Sequence, residues 1–121
     1  MQYLLLIYRS ESEMAKLSSA EMAAMYGEYG KFTQEITDSG NYVGGNPLKP
    51  TTTATTVRVR DAKRVVTDGP FAETKEQLGG YYLIEAKDLD QAISIAARIP
   101  GARVGSIEVR PIMPRTQAVQ A

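Results

Sequence analysis

The chain has 121 residues, 43% hydrophobic and 23% charged, which is the composition of one folded domain with one core and excludes a disordered segment. Fourteen basic residues balance fourteen acidic ones, so no general electrostatic pull draws the chain to nucleic acid or to an anionic membrane. Cysteine and histidine are both absent, which excludes disulfides, thiolate nucleophiles, Cys- or His-based metal sites and any mechanism with an imidazole base.

Tyr3 to Tyr8 predicts a strand, with Tyr3, Leu5 and Ile7 on one side and Leu4, Leu6 and Tyr8 on the other. A strand apolar on both faces is covered on both faces. It lacks the basic flank and small-residue cleavage site of a signal peptide, and no apolar run reaches the roughly 20 residues of a membrane span. The expected compartment is the cytoplasm, with no membrane association. After a polar loop, Ser18 and Glu21 form a capping-box pattern, and Met22, Met25, Tyr29, Phe32 and Ile36 give the following helix a single apolar stripe. Gly27 and Gly30 lie within it at a cost of about 1 kcal/mol each against alanine, which is expected to permit close approach by a neighbouring element. Gly40 is a natural left-handed C-cap.

Tyr42 to Pro50, with two glycines and two prolines, reads as a structured loop or a broken edge strand. Thr53 to Arg60 alternates cleanly and pairs back with Arg64 to Thr67 as a hairpin. If Val57 and Val59 face the helices, Arg58 and Arg60 point to the other side of the sheet. Asp68-Gly69-Pro70-Phe71 breaks the hairpin, and a strand is predicted from Tyr81 to Ala86. Asp88 caps a second helix with Leu89, Ala92, Ile93, Ala96 and Ala97 on its apolar face. Val104 to Ile112 forms a last strand, with Ile107 and Val109 opposite Ser106, Glu108 and Arg110. Residues 1–115 form a single domain, and Thr116 to Ala121 read as a loose tail.

The order β-α-β-β-β-α-β is α+β and close to the ferredoxin-like split βαβ pattern with an added hairpin strand. Each helix has one stripe to bury, so both are expected on one face of an antiparallel sheet. Nothing remains in the chain to cover the apolar side chains on the other face. A second copy, stacked sheet to sheet, is the economical cover, so a homodimer is expected.

The densest local signal runs from Thr67 to Gly80, TDGPFAETKEQLGG. Asp68 suits an Asx-type turn, Pro70 stiffens the corner, and Phe71 is expected to anchor the loop in the core. Gly79 and Gly80 allow tight backbone approach where the next strand begins. This stretch resembles the DGPF subgroup of the YCII-related family. The resemblance extends to Tyr3–Tyr8, Tyr29-Gly30-Lys31-Phe32, Gly44-Gly45, Ala54–Arg58 and Glu108-Val109-Arg110-Pro111. It implies a ferredoxin-like, dimeric α/β barrel, no defined reaction, and a context linked to extracytoplasmic-function sigma factors. The His–Asp pair proposed for the wider family does not carry over, because Asp68 has no histidine to work with.

The candidate site residues are Arg58, Asp68, Lys75 and Glu108, with no metal and no cofactor. Asp68 is either a turn-capping carboxylate or a carboxylate in a partly dry cavity between two sheets, where desolvation raises its pKa. Lys75 is either solvated or a partner for an anionic ligand. Glu73 and Glu76 set no defined carboxylate separation and read as surface residues. One of Tyr81 and Tyr82 must face the partner side. Three functions stay open at this point, the last a purely structural partner of another protein that uses the dimer surface. The first is a dimer that holds a small polar or anionic molecule between its sheets, in a regulatory setting. The second is a cofactor-independent isomerase, lyase or oxygenase-like enzyme with Asp68 as acid/base.

Overall fold

The computed structural model of the chain describes residues 1–115; the tail predicted at 116–121 lies outside them. Strand β1 (Gln2–Arg9) leads through a short helix α1 (Glu11–Met14), within the segment expected to be a loop, to the long helix α2 (Ser19–Asp38). Strand β2 (Tyr42–Pro47) follows, then the hairpin β3 (Thr55–Arg60) and β4 (Lys63–Asp68), strand β5 (Gln77–Glu85), helix α3 (Leu89–Ala97) and strand β6 (Ser106–Pro111). Four strands make an antiparallel sheet in the order β2-β5-β1-β6, the ferredoxin-like arrangement.

Local chemistry explains where α2 starts and stops. The Ser18 hydroxyl accepts from the Glu21 N–H while the Glu21 carboxylate accepts from the Ser18 N–H. Those bonds from Ser18 hold the Glu21 carboxyl below its usual range. At the far end Gly40, with φ of +80°, lets the Asn41 N–H turn back to the Ile36 carbonyl. Gly27 and Gly30 have nothing within 4 Å of where a side chain would begin, so the close approach expected of them does not occur among the described residues.

The core lies between the helices and one sheet face. Tyr3, Leu5 and Ile7 of β1 and Tyr82 and Ile84 of β5 meet Phe32 and Ile36 of α2 and Ala92, Ile95 and Ala96 of α3. In α3 the buried face turns on Ile95, while Leu89 and Ile93, expected inside, are about half exposed. The helix is only nine residues long, and a stripe that short is satisfied by either of two neighbouring faces.

The hairpin departs from expectation. It forms its own two-stranded sheet and does not join the other four strands. Pro47 ends β2 and Pro50 precedes a 3-10 turn at Thr51–Thr53; neither proline has an N–H to continue a ladder, and the chain leaves the sheet there. Val57 and Val59 are consequently exposed, not turned toward the helices. Phe71 is 80% exposed and anchors nothing in the core. Asp61 and Ala62, both at positive φ, close the hairpin in the manner of a type I′ turn.

Two core phenols make stability depend on alkaline pH. Burial raises the Tyr82 pKa against the lowering hydrogen bond it shares with Thr33. Burial likewise raises the Tyr29 pKa, against the hydrogen bond that the Gly101 N–H donates to its oxygen. Both phenols therefore ionise more readily in the unfolded chain. Their contribution is complete below about pH 10, the ordinary tyrosine value, and is lost as pH rises through the folded values. Urea unfolding is expected to show the stability gap between the native chain and Tyr82→Phe narrowing as pH rises past that point.

Candidate functional site

The helices cover one face of the sheet and leave the other open. Strand register gives the open face in rows: Arg110, Leu4, Leu83 and Gly44; then Glu108, Leu6, Tyr81 and Asn46; then Ser106, Tyr8 and Leu78. Leu78 reaches this face through a β-bulge. Ile7 pairs with Gly80 and Tyr8 with Leu78, so Gly79 is the extra residue, and every side chain before it changes sides. Gly80 sits close to β2 for a separate reason: a Cβ there would lie 3.1 Å from the Asn46 carbonyl oxygen, a tight contact that β2 would have to yield to. Leu4, Leu6, Tyr8, Leu78, Tyr81 and Leu83 are half-buried by their sheet neighbours alone.

Polar groups border this apolar centre on two sides. On the β6 side, Tyr8 Oη donates to Glu108 Oε1 at 3.5 Å, and Arg110 Nε donates to Glu108 Oε2 at 2.8 Å. On the β2 side, Asn46 Nδ2 donates to Tyr81 Oη at 2.9 Å. The Ser106 hydroxyl donates to Glu76 Oε1 at 2.8 Å, which ties the loop before β5 to the edge of the face. Aromatic rings, aliphatic side chains and a carboxylate paired to a guanidinium are the groups that line sites for small polar aromatic molecules.

The four residues singled out in the sequence are not brought together within one chain. Glu108 lies on the open face. Arg58 and Asp68 lie on opposite faces of the hairpin, paired with Val65 and Thr55 respectively. Lys75 is exposed on the loop between the hairpin and β5. Among the described residues no hydrogen bond or ion pair joins any two of the four. The Asx turn expected at Asp68 does not form: its carboxylate accepts no backbone N–H, and the Gly69 N–H goes to the Ala54 carbonyl. Tyr8, Asn46 and Tyr81 are the polar residues of the open face that residue type alone did not mark, although the alternation of β1 already set Tyr8 on the side of Leu4 and Leu6.

Two grooves lie elsewhere. One, of about 240 Å³, runs between α2 and the end of α3; four of its charges are paired, Arg103 with Glu28 at 2.6 Å and Arg98 with Glu35 at 3.5 Å, and Lys31 makes no ion pair among the described residues. The other, of about 290 Å³, is framed by Arg9, Ser10, Glu13, Leu17 and Val104. Among the described residues no group of three or more acidic side chains is arranged to hold a metal ion, and no helix is long and apolar enough to cross a membrane.

Fold and face together define an α+β, ferredoxin-like domain with one sheet face open and lined by tyrosines and a paired carboxylate. Residues 1–116 match the YCII-related domain, and the chain belongs to that family. It is 38% identical over 114 residues to an uncharacterised protein of Rhizobium meliloti (strain 1021), a match that covers 93% of this chain and 92% of the relative. Among solved structures it is similar to the 5-chloro-2-hydroxyhydroquinone dehydrochlorinase of Burkholderia phenoliruptrix AC1100, in complex with 2,5-dihydroxybenzoquinone, with a TM-score of 0.55. That match covers 93% of this chain and 94% of the other at 13% identity, so the likeness is one of fold.

Proposed function

We propose that the chain, a member of the DGPF subgroup of its family, works as a homodimer that holds a small polar or anionic aromatic molecule between two stacked sheets. The observation that carries this reading is the open sheet face. Six half-buried apolar or aromatic side chains lie uncovered, with Glu108, Arg110 and Asn46 at their border. An apolar face of this kind is what a self-complementary interface covers. Stacking two such faces encloses the Tyr8 and Tyr81 rings with the Glu108 carboxylate. In that enclosure Glu108 accepts from a ligand hydroxyl, while Arg110 balances its charge or meets an anionic group of the ligand. The quinone in the dehydrochlorinase structure is a molecule of this size and polarity, and it supplies a probe.

Acid/base catalysis by Asp68 has less support. Its carboxylate stands exposed on the hairpin, and among the described residues no side chain hydrogen-bonds or ion-pairs with it to orient it. The binding reading predicts that 2,5-dihydroxybenzoquinone, titrated by calorimetry, binds saturably with one site per chain. Glu108→Gln is expected to weaken it about tenfold, the worth of one charge-assisted hydrogen bond. Absence of binding by this and related hydroxylated aromatics, in a protein that is dimeric, would leave the dimer as an interaction module.

A further inference from the structure

The two faces of the hairpin differ in kind. Register sets Thr55, Val57 and Val59 beside Arg64, Val66 and Asp68 on one face, and Thr56, Arg58 and Arg60 beside Lys63, Val65 and Thr67 on the other. The valine face is the more open one: Val57, Val59 and Val66 are 57%, 63% and 54% exposed, whereas on the cationic face Thr56 and Arg58 are half-buried and Val65 is 42% exposed. A two-stranded ribbon is marginal in water unless one face is packed. Among the described residues no other element buries the valine face. Hydrogen bonds made by residues 55–68 stay inside the ribbon or reach its root at Gly69, and its six charged side chains form no ion pair among the described residues.

The same chain carries a second uncovered apolar surface, the open sheet face, and the two are complementary. Each is apolar at its centre. Each carries one acid and one base at its border, Asp68 and Arg64 on the ribbon, Glu108 and Arg110 on the sheet. A two-fold pair satisfies both surfaces when each ribbon lies on the other copy.

We propose that the hairpin is an exchanged arm. Its valine face packs along the β6 border of the partner subunit's open sheet face, beside the stacked sheets, and brings Asp68 into the site that holds Glu108 of that subunit, so that each site is composite. The inference rests on the dimeric reading above. It accounts for a carboxylate, Asp68, that has no ion-pair partner among the described residues.

The test uses the absence of native cysteine. The double variant Asp68→Cys, Glu108→Cys is treated with a short bis-maleimide and run on a denaturing gel, each single variant serving as control. The expected product is a covalent dimer formed by the double variant. A cross-link confined to one chain, or none, in a protein that still sediments as a dimer would overturn the exchanged arm and leave the dimer standing. A protein that sediments as a monomer would overturn both. A second measurement guards against a cysteine that disturbs packing. Val57→Lys with Val66→Lys is expected to weaken the dimer roughly 100-fold while circular dichroism stays native, since both side chains are exposed in the single chain. An unchanged dissociation constant would contradict the proposal.

Discussion

Replacing Leu6 with lysine is expected to separate the proposed dimer into folded monomers. Leu6 lies at the centre of the open face, between Glu108 on β6 and Tyr81 on β5, and no helix covers it. Burying a leucine contributes about 1.5–3 kcal/mol. Two-fold symmetry counts the substitution twice, so the dissociation constant is expected to rise by roughly three orders of magnitude. The charge lies where the proposed dimer stacks its sheets, while the helix side of β1, with Tyr3, Leu5 and Ile7, is untouched. Sedimentation velocity gives the association state, and circular dichroism on the same sample gives the fold. A variant that stays dimeric at micromolar concentration would mean that the open face is not the interface.

Ile84→Ala acts on the other side of the sheet and is expected to cost the fold itself. Ile84 is fully buried on β5, opposite Tyr3 of β1 and Tyr42 of β2, within the cluster that Phe32, Ile36 and Ile95 close from the helix side. The cavity left by such a truncation costs about 2–5 kcal/mol. Domains of this size hold roughly 5–15 kcal/mol in all, so the melting temperature is expected to fall by roughly 10–20 °C. Leu83→Ala, one residue earlier and on the open face, is the control: it is expected to weaken association and leave the monomer fold near native. If the two variants lowered the melting temperature equally, the division of the sheet into a core face and an interface face would be wrong.

What the sequence made legible follows from how local each signal is. The capping box at Ser18, the glycine C-cap at Gly40 and the two-sided apolar pattern of β1 depend on neighbours a few residues away, and each is present as read. The hairpin was legible as a hairpin but not as a separate sheet. Period-two alternation fixes which residues share a face and says nothing about what that face meets. The prolines at 47 and 50 carried the missing information, since neither can extend a ladder. Phe71 failed for a related reason: a large apolar side chain beside a rigid corner reads as an anchor, and an exposed anchor differs from a buried one only in tertiary context. The bulge at Gly79, which moves Leu78 to the face of Tyr8, is set by pairing with β1 some 70 positions away.

The candidate site was legible in part. The clean alternation of β6 puts Glu108 on the open side, whereas of the adjacent Tyr81 and Tyr82 the pattern says only that one faces away from the helices, and the pairing with Leu6 makes it Tyr81. Arg58 and Asp68 were grouped by their nearness along the hairpin, yet the three-residue offset between them in the ladder puts them on opposite faces. Asn46 went unmarked because its position beside Tyr81 depends on β2 joining the sheet at all.

The most direct test of the account is the molar mass of the purified protein, measured by light scattering across a dilution series. The account predicts twice the mass of one chain, with dissociation only at low concentration. A single-chain mass at every concentration would contradict it, because the open sheet face would then stand uncovered in solution.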